Sequence, residues 1–148
     1  MYAVIIKVMD LSGLDKKQVG ALGEKVAAEY LRRHGFLIVD RNVARKTGEL
    51  DLIARKDKVM HFVEVKSIAC DDFPRHTSPG VTGSAPHDDD EYDPSVNLHE
   101  AKIRKVARTA EWYMAEHDLE HEWQVDACLV WLRRRDGMAK VRYLPQIV

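Results

Sequence analysis

The sequence predicts one α/β domain, a mixed β-sheet flanked by helices. Two segments, from about Asp15 to His34 and from about Val96 to His117, repeat apolar residues at helical spacing. Between and after them lie β-branched and aromatic runs bounded by turn residues, giving three strands between Phe36 and Ser67 and two more after the second helix. Helices interleaved with strands in this order call for a sheet with helices packed on it. At 148 residues and 45% hydrophobic content, the chain can bury a core of its own as a single domain, residues 1–148.

In the first helix Val19, Leu22, Gly23, Val26, Ala27, Tyr30 and Leu31 form one stripe, and Gly35 is a natural stop. Glu24 projects about 20° beyond Leu31, at the edge of that stripe. On periodicity alone it reads as a surface glutamate, although its position would also let it lean over a sheet.

Residues 50 to 55 and 59 to 66 are two apolar-rich runs separated by Lys56-Asp57-Lys58, which reads as a hairpin. With the turn centred between Asp57 and Lys58, Asp51 faces Glu64, and Lys66 shares the face of Glu64 two residues along. A one-residue change in the turn would send Asp51 to the opposite face. Two carboxylates about 5 Å apart repel by roughly 3 kcal/mol at an effective dielectric near 20, more than the roughly 0.2 to 1 kcal/mol of a good cross-strand pair. Lys66 relieves part of that, and a hard divalent cation with oxygen ligands would relieve the rest. Asp51, Glu64 and Lys66 therefore point to metal-dependent phosphodiester chemistry with Mg²⁺ or Mn²⁺. The competing reading is an acidic hairpin with solvated charges, because short motifs recur by chance.

In the second helix Asn97 and Glu100 give a capping-box-like start. Ile103, Val106, Ala107, Ala110, Tyr113 and Met114 fall in one arc, and Lys102, Arg104, Lys105 and Arg108 in the opposite one. Lys102, Lys105 and Arg108 are the candidates for contact with a nucleic-acid backbone, Lys105 first, with Trp112 projecting from the same side. Such a face is also what a solvated helix presents. Trp123 to Leu132 and Ala139 to Leu144 read as strands around the turn Arg133-Arg134-Arg135-Asp136-Gly137.

The net charge of −1 hides an uneven distribution. Residues 70 to 94 carry seven acids and one base, Arg75, so the remainder is +5. That stretch, rich in Pro, Gly and Ser and without helix or strand period, reads as a disordered acidic insertion. Cys70 and Cys128 are too few for a disulfide framework or a zinc site, and the seven histidines show no ligand spacing. The apolar opening is too short for a signal peptide and no run approaches a membrane span. The expected setting is intracellular and cytoplasmic, with organellar and nuclear compartments left open.

Gly23-Glu24, Ala28-Glu29-Tyr30-Leu31, Gly35-Phe36, Arg41-Asn42, Gly48-Glu49-Leu50-Asp51-Leu52-Ile53-Ala54 and Phe62-Val63-Glu64-Val65-Lys66 together resemble the YraN-like family. That family is similar to the restriction-endonuclease-like superfamily and is related to archaeal Holliday-junction resolvases. The resemblance resumes at Lys102 and Lys105 and at Val125-Asp126. It implies a restriction-endonuclease-like fold, a metal bound by Asp51 and Glu64 with Glu24 as a further acid, Lys66 in catalysis, and a homodimer. Asp126 matches a late acidic position of the family; as a residue it reads equally as a hydrogen-bonded strand position. Ser67-Ile68 depart from the pattern, since relatives often carry a base there. The expected function is metal-dependent endonucleolytic hydrolysis of DNA, at branched structures by resemblance. The alternative is a non-catalytic nucleic-acid-binding or partner-docking module on the same fold.

Overall fold

The computed structural model describes residues 4–7, 11–74 and 100–148, with the side chains of 4–6 set aside. Its elements are β1 (Val4–Lys7), α1 (Lys16–Arg33), β2 (Leu37–Arg45), β3 (Gly48–Lys56), β4 (Val59–Cys70), α2 (Glu100–Glu116), β5 (Glu122–Arg133) and β6 (Met138–Leu144). The strands form one sheet in the order β1-β6-β5-β4-β3-β2. Among the described strands only β4 and β5 run parallel, joined across α2, and the other pairs are antiparallel. The predicted mixed sheet flanked by helices is what the chain forms.

Helix α1 starts where the sequence places it. Asp15 accepts the Gln18 N–H while the Gln18 side chain accepts the Asp15 N–H, a complete capping box. It ends at His34, followed by Gly35 at φ 86°, a left-handed turn that glycine takes without steric cost. Leu22, Val26, Ala27, Tyr30 and Leu31 pack with Leu52, Val63, Val65 and Val130 on one face of the sheet. Val106, Ala110, Tyr113 and Met114 of α2 pack with Leu50, Ile53, Phe62 and Val125 on the other. Burying a side chain such as Leu31 or Phe62, both 0% exposed, stabilises the fold by about 1.5–3 kcal/mol.

The structure corrects the sequence reading at two strands, β1 and β4. Val4–Lys7, outside the five strands expected, form an edge strand paired with β6; four residues carry too short a pattern to announce a strand. Strand β4 continues past Ser67 to Cys70, because parallel pairing with β5 holds through Cys70 and Arg133. Cys70 thus belongs to the sheet rather than to the acidic insertion. Residues 75–94, Asn97 and the expected first turn of the second helix lie outside the described residues. Asp126 takes the second of its two readings, a hydrogen-bonded strand position, and is fully buried on the α1 side of the sheet. It is held by His61 Nδ1 at 2.6 Å, the Gln124 amide at 2.7 Å, the Gln146 N–H at 2.8 Å and the Tyr143 hydroxyl.

Candidate functional site

The β3–β4 hairpin has the register expected from its turn, with Lys56 opposite Val59 and Leu52 opposite Val63. The ladder stops there. One residue further, at Asp51, β3 parts from β4, and Leu50 and Leu52 join cores on opposite faces of the sheet. A regular strand would put both on one face, so β3 turns over at Asp51. The parting frees the Asp51 carboxylate, whose Oδ2 accepts the Val65 N–H at 2.9 Å.

Glu64, one residue before that donor, is 5% exposed. Its Oε1 lies 2.7 Å from Lys102 Nζ and 4.0 Å from Lys66 Nζ. Burial first, and then the charge of Glu64, push the Asp51 carboxyl up to about 7, against the lowering effect of the Val65 bond. The Lys66 ammonium is drawn below the usual lysine range by burial and by Lys102 beside it. Burial also pulls on Lys102, but its bond to Glu64 prevails and holds it above that range.

Glu24 enters from α1. Gly23 lies so close to β4 that a Cβ there would sit 1.6 Å from Ser67 Oγ and 2.6 Å from Ser67 Cβ, so only glycine lets the helix lie flush against the strand. Glu24 is half-buried, and burial raises its carboxyl, opposed by a hydrogen bond from Asn42, with the charge of Glu64 adding to the rise. Its own charge is felt at Asp51. Asn42 stands in β2 at φ 48°, a left-handed conformation that asparagine tolerates better than most residues. In the sequence Asn42 stands out only through the family resemblance, as a polar residue within a strand. The structure makes it the partner of Glu24.

Among the described residues no group of three His, Cys, Asp or Glu side chains converges as a ready metal cage. Asp51 and Glu64 come together, while Glu24 stands off with Asn42. The fit to a hard cation therefore rests on two carboxylates. They suit Mg²⁺, which commonly keeps several waters and takes one or two carboxylates plus substrate phosphate. Burial, and after it the charge of Glu64, raise the Asp51 carboxyl, and a cation between the two acids would relieve that repulsion.

Of the three predicted nucleic-acid contacts, Lys105 and Arg108 are exposed on α2, as is Trp112 at 56%. Lys102 turns from that row into the site. Arg104 is paired with Glu100. Helix α2 passes close to Gly48, at φ 149°, where an added Cβ would meet Thr109 Oγ1 at 3.3 Å. A cleft of about 660 Å³ opens beside Glu24 and Lys66, between the start of α1 and the far half of β4, with Lys16 and Arg134 also lining it.

Fold and site together define an α/β protein with a paired-carboxylate, paired-lysine centre where two neighbouring strands part. The chain belongs to the family described as "Uncharacterised protein family UPF0102", whose model matches residues 23–130 and so spans the whole centre. The resemblance read from the sequence is met at the level of that family. A family protein from Sulfurovum sp. (strain NBC37-1) is 35% identical over 115 residues, 77% of this chain and 84% of the relative. One from Syntrophotalea carbinolica is 35% identical over 127 residues, 86% of this chain and 88% of the relative. Among solved structures, Pyrococcus furiosus SfsA in complex with Ca²⁺ aligns at a TM-score of 0.34 and 18% identity. It covers 89% of this chain and 64% of that one, a likeness too distant to carry an argument about function. No helix among the described residues is long and apolar enough to cross a membrane.

Proposed function

We propose that this protein is a divalent-metal-dependent endonuclease of the restriction-endonuclease-like superfamily that hydrolyses phosphodiester bonds in DNA, branched structures included. The observation that carries this reading is the convergence of Asp51 and Glu64 with Lys66 where β3 leaves β4. A bound Mg²⁺ or Mn²⁺ would lower the pKa of a water ligand and offset the charge that develops on the phosphate. Asp51 and Glu64 would hold that cation through their carboxylate oxygens. Glu24, braced by Asn42, would add negative charge on the α1 side. Lys66 would orient a water on that cation, take its proton at Nζ or stabilise the charged phosphate, and burial together with Lys102 lowers its ammonium in the direction a base requires. Lys105 and Arg108 run along the substrate backbone, and Trp112 offers a face on which a base can stack.

Incubating the protein with linear, single-stranded and branched DNA, and with RNA, in Mg²⁺ or Mn²⁺ tests the proposal directly. Cutting that Asp51→Asn and Lys66→Ala both abolish supports it. The absence of cutting, with salt-sensitive binding retained, favours a binding module instead. That second reading has its own observation, since Lys102 already satisfies Glu64 without a metal. Symmetric cutting of a branched junction requires two sites, so a homodimer belongs to the first reading and sedimentation at several concentrations measures it.

A further inference from the structure

We propose that Lys102 is a placeholder for the divalent cation: it occupies Glu64 in the metal-free protein and is released to the substrate phosphate when a cation takes that oxygen. This rests on the metal-dependent reading above. Lys102 Nζ lies 2.7 Å from Glu64 Oε1, and Lys66 Nζ lies 4.0 Å from the same atom, so two ammoniums crowd one carboxylate oxygen. The carboxylate is fixed, with its side chain 6% exposed on the sheet. The Lys102 side chain is 41% exposed and reaches in from the helix on a flexible four-carbon stem. Of the two lysines Lys102 is the one free to move.

The charges lead to the same assignment. Asp51 and Glu64 balance Lys66 and Lys102, leaving the metal-free centre near neutral. A dication bound between the carboxylates would repel both ammoniums, and Lys66, on the strand itself, has less freedom to leave. Lys102 lies one turn from Lys105 and two from Arg108, at the end of the basic row nearest the site. Swung out, it extends that row by one phosphate contact. Metal and nucleic acid then favour each other's binding, because the cation frees a lysine that the phosphate uses.

Two measurements on the full chain test this. In titration calorimetry with Mn²⁺, Lys102→Met should bind the ion several-fold more tightly than the native protein, because no ammonium competes for Glu64. Lys105→Met, in the same helix, should leave Mn²⁺ affinity unchanged, and Asp51→Asn should lose it. In DNA binding, the steepening of the salt dependence between EDTA and Ca²⁺ should be larger in the native protein than in Lys102→Met, by about 0.9 in the log–log slope, one phosphate's worth. Lys102→Arg keeps a competing cation and the helix, so it should stay near the native affinity. Equal Mn²⁺ affinity in the native protein and Lys102→Met, with Asp51→Asn still defective, overturns the placeholder and leaves the metal centre standing. Failure of the native protein to bind Mn²⁺ overturns both.

Discussion

Gly23 and Ser67 touch so closely that the serine side chain fills the space a methyl group on the glycine would need. The contact sets the depth at which α1 lies on β4, and Glu24 is the next residue along the helix. Gly23→Ala should therefore destabilise the fold by about 1–3 kcal/mol, the usual range for overpacking. Denaturant unfolding measures the loss. Ser67→Gly in the same chain should restore much of it, since it removes both the hydroxyl and the Cβ that the new methyl meets.

The buried Asp51 carboxyl predicts a pH dependence of metal-free stability. Its folded value is raised from 3.8 to about 7, so the contribution is complete below about pH 4 and is lost as pH rises through about 7. Asp51→Asn keeps an oxygen for the Val65 N–H and removes the charge. At pH 8 without metal it should raise stability by roughly 1–2 kcal/mol, discounted for partial contact with water. At pH 4 the native and variant melting curves should coincide, while cutting is lost throughout.

The Asp126 network behaves in the opposite sense. Burial raises this carboxyl, but hydrogen bonds from His61, the Gln146 backbone, Tyr143 and Gln124 outweigh it and hold the group below the ordinary value. Its stabilisation is present above the ordinary carboxyl value and is lost as pH falls through the depressed one. Asp126→Ala strands four donors and should cost about 3 kcal/mol or more. Because none of these four partners belongs to the cluster of Asp51, Glu64, Lys66 and Lys102, the folded fraction at low temperature should keep whatever metal affinity the native protein shows.

Lys105 and Arg108 project from α2 away from its core, with neither carrying the helix packing. Replacing each by alanine should weaken nucleic-acid binding, lower the salt slope by about 1 per residue and leave thermal unfolding within about 0.5 kcal/mol of native. Fluorescence anisotropy across a salt series gives the slope. An unchanged slope in both variants would place the nucleic acid elsewhere.

The helices, the hairpin and its register were legible in the sequence because each follows from local rules. Spacing of 3.6 residues marked α1 and α2, and two polar residues at Asp57 and Lys58 fixed which side chains of β3 and β4 meet. Those same rules bring Asp51, Glu64 and Lys66 within reach of one another. Only the tertiary structure decided how they are used. The parting of β3 from β4 at Asp51, the left-handed Asn42 that braces Glu24, and Lys102 crossing from its helix to Glu64 join elements distant in the chain. Strand β1 likewise exists because β6 offers it an edge. Periodicity reports the face a residue occupies, whereas contacts between elements depend on the packing of α1 and α2 against the sheet, which no local pattern encodes.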